Sequence, residues 1–231
     1  FYYGGLSEVF DIQDKKSWLQ SLYQKILYSD IVMRKGVRNE RSLRLLIRKL
    51  ADSVMQPTAI KRLQDILQGD GTKITRDTIG SYLDYLHESY LTFGISSFTD
   101  SISQRESIKK RYFYDNGILN LFLFLPETKL LENLVAIKLY NKYGDDLYYY
   151  NKNVEVDFCV PNDGLLIQAS YRMIDEATRN REIGALQKLS KFIKPQRCII
   201  VTYDQEEIIQ SNDFDVQIEV IPAYKFMLMV L

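Results

Sequence analysis

Apolar residues recur every three or four positions through most of residues 1–105, a spacing typical of helices with one buried face. The pattern predicts four helices in this half of the chain. Asp14, Thr58 and Thr75 stand where the first, third and fourth helices would begin, and each can accept a hydrogen bond from the first helical turn. The apolar face of the second helix comprises Leu43, Leu46, Ile47, Leu50 and Val54.

Two runs with strand character follow these helices. Residues 91–95 and 110–114 are rich in aromatic and β-branched side chains, and the polar stretch 96–107 separates them. Three helices followed by a two-stranded ribbon form a winged-helix pattern. We place a domain boundary in the polar stretch, so residues 1–105 are expected to form a helical, winged-helix-like domain.

Residues 106–231 change character, because one long helix is followed there by several short apolar runs. Turn-forming Asn, Asp, Pro and Gly residues separate the runs, which is typical of strands. The predicted order is α-β-β-β-α-β-β, with elements at about 127–143, 147–150, 154–160, 165–171, 176–192, 197–203 and 216–221. The expected fold class is therefore α+β or α/β with two domains, 1–105 and 106–231.

Composition narrows the class of protein. Hydrophobic residues make up 46% and charged residues 26% of the 231 residues, as in ordinary globular domains. The formal net charge is zero, so bulk charge predicts no partner. Cys159 and Cys198 lie in apolar runs and are expected to be buried free thiols, which fits a cytoplasmic protein. No apolar run approaches the roughly 20 residues that span a bilayer, so no membrane partner is expected.

Three acidic or amide positions follow the order of a metal-dependent nuclease site. Glu132 lies on the first helix of the second domain, Asp157 on a strand of the hairpin, and Gln168 with Ser170 on the next strand. This arrangement resembles the PD-(D/E)XK nuclease superfamily, where the last two positions are an acid and a lysine. The resemblance implies a restriction-endonuclease-like α-β-β-β-α-β domain over 106–231.

The same positions predict that the nuclease site is incomplete. Mg²⁺ prefers carboxylate oxygens and activates water for attack on phosphate. Gln168 is neutral and Ser170 cannot supply a cation, so any Mg²⁺ held by Asp157 and Glu132 would be bound weakly. A displaced cation is the alternative, with candidates Arg172, Arg179 and Arg181. The structural alternative is that Glu132 suits the start of its helix and that Asp157 faces solvent.

Several stretches resemble the C-terminal region of a prokaryotic AAA-type P-loop ATPase family. They are Tyr3-Gly4-Gly5-Leu6-Ser7-Glu8-Val9, residues 110–117, Leu131-Glu132-Asn133-Leu134-Val135, Glu155-Val156-Asp157-Phe158, Leu166-Ile167-Gln168 and Thr178-Arg179-Asn180-Arg181-Glu182. The resemblance implies an ATPase domain upstream of Phe1, and the absence of Met at the start suggests a segment of a longer protein. The chain has no Gly-Lys dipeptide and hence no Walker A motif, so ATP is expected only in that other part.

A basic cluster is the candidate surface for a partner. Residues 34–49 carry seven cationic residues against the single acid Glu40. The candidate contacts for nucleic acid or an acidic protein are Arg34, Lys35, Arg38, Arg41, Arg44 and Arg48, and a solvated helix face is the alternative reading. The fourth predicted helix, which would be the recognition helix, exposes Arg76, Asp77, Asp84 and Glu88, and this net acidic face would repel a duplex.

Three functions follow from these observations. We expect first a non-catalytic regulatory or binding module of a P-loop ATPase, with nucleic acid, the ATPase domain or another protein as partner. The second is a Mg²⁺-dependent nuclease with a displaced cation. The third is an assembly module that uses the tyrosine-rich surface and the apolar tail from Phe226 to Leu231.

Overall fold

The computed structural model describes residues 1–210 and 216–230. The chain forms two compact units. The first comprises Phe1–Gly94 and Ser103–Pro126, and the second comprises Ile95–Ile102 and Glu127–Leu231. The expected boundary between residues 105 and 106 thus falls within the second segment of the first unit, and the main division lies at Pro126. Residues 106–126 join the first unit because their strand and helix pack within it.

Helices build most of the first unit. They are α1 (Lys15–Lys25), continued by a wider π-type stretch over Ile26–Met33, α2 (Glu40–Asp52), α3 (Ile60–Gly69) and α4 (Arg76–Glu88). Asp14 accepts a hydrogen bond from the Ser17 amide, and Thr75 accepts one from the Thr78 amide, so both predicted caps are confirmed.

The predicted cap at Thr58 is wrong. Thr58 lies in a short strand, β1 (Pro57–Ala59), and its hydroxyl donates to the Gln56 carbonyl. Helix α3 instead begins after Ala59 with no side-chain cap. The strand forms because β1 pairs antiparallel with a later strand, a long-range contact that the local pattern does not show.

That later strand belongs to a small group of elements after α4. They are β2 (Thr92–Ser97), α5 (Ile102–Ser107), β3 (Ile108–Phe113) and α6 (Asn116–Asn120). The two predicted strands are confirmed, and α5 lies within the polar stretch 96–107 that separates them. In the first unit the strand order is β1-β3-β2, and β2 continues into the second unit from Ile95 onward.

The first five residues are held against the start of α6. Asp115 accepts a hydrogen bond from the Gly5 amide at 2.9 Å and caps α6 through the Ile118 amide at 3.0 Å. A Cβ atom on Gly4, whose φ is +80°, would lie 2.1 Å from the Asp115 carboxylate. Glycine is therefore required at position 4 both by backbone conformation and by the close approach of this carboxylate.

A mixed sheet and three helices build the second unit. The elements are α7 (Glu127–Tyr143), β4 (Tyr148–Tyr150), β5 (Val156–Val160), β6 (Leu165–Ala169), α8 (Glu176–Ile193), β7 (Arg197–Thr202), β8 (Glu207–Ile209), β9 (Ile218–Pro222) and α9 (Ala223–Leu228). The predicted helices and strands are confirmed in order and kind, and β8 and α9 are additional. The combination of helices with a mixed sheet confirms the expected fold class at this coarse level.

The sheet of the second unit has the order β2-β4-β5-β6-β7-β9-β8. Strands β4, β5 and β6 pair antiparallel, whereas β6, β7 and β9 run parallel. A parallel connection needs a crossover, and α8 supplies the one between β6 and β7. This crossover places the N-terminal half of α8 over the hairpin formed by β5 and β6.

Helices cover both faces of this sheet. On one face Leu186 and Leu189 of α8 pack in a cluster with Leu166 and Ile200 of the sheet. Helix α7 also contacts β6, yet none of its buried apolar residues belongs to that cluster. We conclude that α7 covers the opposite face.

Both cysteines lie in the core of the second unit. Cys159 and Cys198 are free and buried within the cluster beneath α8, as expected. Burial raises the pKa of each thiol to about 12, so neither is a thiolate near neutral pH. Among the described residues, none of the helices is long and apolar enough to cross a membrane.

Candidate functional site

The amide of Gln168 lies at the centre of a buried network in the second unit. In the antiparallel register Phe158 faces Ile167, which places Asp157 opposite Gln168. The Gln168 carbonyl oxygen accepts a hydrogen bond from the Asp157 backbone amide at 2.7 Å. Its Nε2 donates to the Glu155 carbonyl at 3.2 Å and to Glu182 Oε2 at 3.0 Å. The oxygen and both donor hydrogens of this side chain are thus engaged within the protein.

Asp157 is joined to the same hairpin through its side chain. Its Oδ2 accepts a hydrogen bond from the Ala169 backbone amide at 3.0 Å, while the residue stays half-buried. The side chain of Asp157 on β5 therefore bonds to the backbone of β6, and the side chain of Gln168 on β6 bonds to the backbone of β5. The expected juxtaposition of Asp157 and Gln168 is present, but hydrogen bonds to the backbone orient both groups.

Glu182 of α8 completes the network. Only 5% of Glu182 is exposed, and Arg181 donates to its Oε1 at 2.6 Å. Burial raises the pKa of the Glu182 carboxyl, the nearby negative charges of Asp157 and Glu155 add to this shift, and Arg181 opposes it. Because 72% of the Arg181 side chain is exposed, water screens its attraction to the Glu182 carboxylate and weakens the compensation of the buried charge.

The sequence of α8 explains why an acidic side chain points inward. Asp175 caps the helix through the Thr178 amide at 2.7 Å and thereby sets the helical register. Glu182 then lies one and two turns before Leu186 and Leu189, on the apolar face. We did not predict Glu182 as a site residue, although an acid in line with buried leucines was a signal that could have identified it.

Glu132 approaches the sheet from elsewhere. It lies on α7, is 1% exposed, and comes from the helix that covers the face opposite α8. Gln168 and Glu182 face the α8 side, and the electrostatic influence of Asp157 on Glu182 places its charge near that side. The structure therefore joins Asp157 with Gln168 and Glu182, and the expected place of Glu132 beside them stays a prediction.

Ser170 directly follows β6, the strand that carries Gln168. Its backbone amide donates to the Val201 carbonyl at 2.9 Å, and its hydroxyl reaches the Arg172 carbonyl at 3.5 Å. It is only 6% exposed. Ser170 thus occupies a buried position where the nuclease pattern has a lysine, and it supplies no charge.

The three candidates for a displaced cation have different surroundings. Arg179 forms a bidentate ion pair with Glu207, and Arg172 is exposed above the ring of Tyr171. Arg181 alone among the three joins the network, where it is hydrogen-bonded to Glu182. Within the described residues there is no group of three or more His, Cys, Asp or Glu side chains that could hold a metal ion.

The basic cluster of residues 34–49 lies in the first unit. Lys35 pairs with Glu88, and Arg44 pairs with Glu40 and donates to Tyr28. Arg34, Arg38, Arg41 and Arg48 are exposed. The structure therefore divides the predicted contact residues into two that bind local partners and four that face solvent.

Comparisons with known proteins place the chain among relatives whose names state no activity. Residues 1–129 match the family model described as "Domain of unknown function (DUF8612)". The chain is 32% identical over 240 residues to an uncharacterized protein of Methanocaldococcus jannaschii, which covers 98% of this chain and 54% of that protein. It is 26% identical over 180 residues to an uncharacterized protein of Haemophilus influenzae, covering 74% of this chain and 45% of that protein. The chain spans about half the length of these curated relatives, and no solved structure matches it.

Proposed function

The chain belongs to the DUF8612 family, and we propose that it is a non-catalytic binding or regulatory module of a larger protein. Its second unit has the helix and strand order of a restriction-endonuclease-like domain, from α7 through β7. On this proposal the nuclease-like site has become a structural network. The module keeps the shape of a nucleic-acid-processing domain and does not cut.

The single observation that carries this proposal is the bonding of Gln168. An active site of this class needs an acidic group there to hold Mg²⁺ through oxygen ligands. Here the oxygen of the neutral amide accepts from the Asp157 backbone, and the amide nitrogen donates to Glu182. The Gln168 amide thus connects the Asp157 backbone to the Glu182 carboxylate, and as a neutral group it adds no anionic ligand for Mg²⁺.

The larger protein is proposed to be a P-loop ATPase. Support comes from the stretches that resemble the C-terminal region of AAA-type ATPases and from the length of the relatives, of which this chain covers 54% and 45%. The order α2, β1, α3, α4, β2, α5, β3, with three helices before the β2 and β3 strands, also supports a winged-helix-like domain. In this arrangement another part of the longer protein binds ATP, and this chain links the binding of a partner to that ATPase.

Two measurements test the absence of catalysis. The purified protein is incubated with labelled single-stranded and duplex DNA and RNA in millimolar Mg²⁺ or Mn²⁺, beside an Asp157→Asn variant. Titration calorimetry with each metal is performed on both proteins. We expect intact nucleic acid and no saturable metal binding in either protein. Metal-dependent cleavage by the wild type that Asp157→Asn removes would refute the proposal and support the nuclease with Arg181 as its displaced cation.

One observation favours a second function, assembly with another subunit. The C-terminal helix α9 and the residues after it expose Tyr224, Leu228 and Val230 at 61%, 82% and 95%. Exposed apolar groups in one short segment are typical of an interaction surface. Leu231, the end of the predicted tail, lies outside the described residues. Light scattering across a wide concentration range tests this alternative, and a strict monomer contradicts self-assembly.

A further inference from the structure

Four arginines of the first unit form an exposed surface that we name the cationic strip: Arg34, Arg38, Arg41 and Arg48. Arg34 follows the π-type stretch, Arg38 precedes the start of α2, and Arg41 and Arg48 lie on α2. Among the described residues none of the four forms an ion pair. Four guanidinium groups within fifteen consecutive residues are therefore available to a partner.

Two acids near the strip are paired with other cations. Glu88 pairs with Lys35, and Glu40 pairs with Arg44, which also lies over the Tyr28 ring. Asp52 is the acid that lines an open pocket together with Arg48. Because Lys35 and Arg44 pair with Glu88 and Glu40, the four arginines keep a net positive charge. Asp52 is the opposing charge near Arg48.

The spacing along α2 fits a polyphosphate. Arg41 and Arg48 are seven residues apart, which places them on the same helix face about 10.5 Å apart along the axis. One strand of a duplex carries a phosphate about every 3.4 Å along its axis, so this distance corresponds to about three phosphates. Arg38 and Arg41 also lie at the N-terminal end of α2, where the helix dipole favours anions.

We propose that the cationic strip binds the phosphodiester backbone of a nucleic acid. This inference rests on the proposed function, because a module that holds nucleic acid without cutting it needs a binding surface outside the nuclease-like network. Arginine favours this partner, since its planar guanidinium matches phosphate oxygens with two parallel hydrogen bonds. An acidic protein is less well matched, because protein interfaces depend on buried apolar anchors at their centre, and the strip consists of charged groups.

The test compares two variants with the same change in charge. The strip variant combines Arg34→Gln, Arg38→Gln, Arg41→Gln and Arg48→Gln. The matched control combines Lys16→Gln, Lys25→Gln, Arg62→Gln and Lys73→Gln, four exposed cations of the same unit outside the strip. Fluorescence anisotropy with labelled single-stranded and duplex oligonucleotides of one sequence measures affinity over a range of salt concentrations. Circular dichroism and thermal melting verify that both variants are folded.

We expect the wild type to bind and the strip variant to lose affinity on the order of 10²-fold, with little loss in the control. The slope of log affinity against log salt should fall by up to about 3.6 for duplex or about 2.8 for a single strand, since each lost phosphate contact contributes about 0.9 or 0.7. The oligonucleotide that binds with the higher affinity, single-stranded or duplex, identifies the form of nucleic acid that the strip prefers.

Three results would overturn the inference: no binding by the wild type, equal losses in the two variants, or tighter strip-dependent binding of polyglutamate than of nucleic acid. The last would identify an acidic protein as the partner. Cleavage of the bound oligonucleotide, in contrast, would refute the non-catalytic function and leave the strip as the binding surface. The two proposals can therefore fail separately.

Discussion

Gln168 of β6 donates a hydrogen bond to Glu182 of α8 over 3.0 Å, and both side chains are buried. This bond connects the hairpin of β5 and β6 to the helix that crosses above it. A buried carboxylate is costly unless donors satisfy its oxygens, and here Gln168 and Arg181 each serve one oxygen. The pair shows how the buried Glu182 carboxylate is satisfied within the protein, and it supports three predictions.

The first prediction concerns the stability supplied by the Gln168 amide. Gln168→Ala removes the donor to Glu182 and the acceptor of the Asp157 amide, leaving buried polar groups unsatisfied. We expect the free energy of unfolding to fall by about 2–4 kcal/mol. Urea denaturation measures this change. The exposed Gln217 offers the control Gln217→Ala, which should change stability by less than about 0.5 kcal/mol. Equal losses of stability in Gln168→Ala and Gln217→Ala would show that the Gln168 amide does not stabilise the fold.

The second prediction concerns pH. The pKa of Glu182 is raised in the folded protein, chiefly by burial, so the folded state binds this proton more tightly than the unfolded state. Its contribution to stability is greatest below the ordinary glutamate pKa of 4.5 and declines as the pH rises through the folded value. Glu182→Gln should therefore remove a decline in stability that the wild type shows above pH 4.5.

Unfolding curves of the wild type and Glu182→Gln across this pH range provide the measurement. The difference between the two proteins isolates Glu182 from carboxyls whose pKa is lowered, such as Glu207 beside Arg179, because both proteins share them. A difference in stability that stays constant with pH would contradict the assigned shift.

The third prediction restores an acid to the centre of the network. Gln168→Glu places a further carboxylate between Asp157 and Glu182, where like charges disfavour the folded state. We expect a lower melting temperature without metal and a rise of several degrees in Mn²⁺, since a ligand bound at about 100 times its dissociation constant contributes about 2.7 kcal/mol. Differential scanning fluorimetry measures both effects.

The wild type and the exposed variant Gln217→Glu serve as controls for Gln168→Glu. Neither should respond to Mn²⁺, because neither adds an acid to the network. If Mn²⁺ stabilises the wild type as strongly, then the amide does not prevent metal binding and the non-catalytic proposal loses its main support.

The fourth prediction concerns the docking of the first five residues. Asp115→Ala removes both the cap of α6 and the acceptor of the Gly5 amide. We expect a loss of about 1–3 kcal/mol and faster hydrogen exchange in residues 1–5. The exposed Asp11, substituted as Asp11→Ala, is the matched control and should leave both quantities unchanged. Unchanged exchange at residues 1–5 in Asp115→Ala would show that another contact holds the segment.

The comparison of α3 with α4 shows where local sequence suffices. Thr75 caps α4 as predicted, because capping involves an amide three residues away. Thr58 was expected to cap α3 by the same rule, but β1 pairs with β3 and draws Thr58 into a strand. The partner residue, Lys109, is fifty-one positions along the chain, and no local pattern contains that information.

Local sequence likewise predicts only part of the candidate site. Asp157 and Gln168 could be predicted together, because a tight hairpin relates them and strand alternation sets their faces. The choice of Glu132 as their companion followed element order alone. Element order could not show that the crossover of α8 places Glu182 against Gln168.

The sequence by itself determined the six longer helices, most strands, the burial of both cysteines and the neutral side chain at position 168. These properties follow from periodicity, capping and side-chain chemistry, which act over a few residues. Tertiary structure alone decided that Asp115 meets Gly5, that Glu182 joins Gln168, and that four of six predicted arginine and lysine contacts face solvent. The reason is physical: the path of the chain brings distant segments together, and packing then selects which polar groups must satisfy one another.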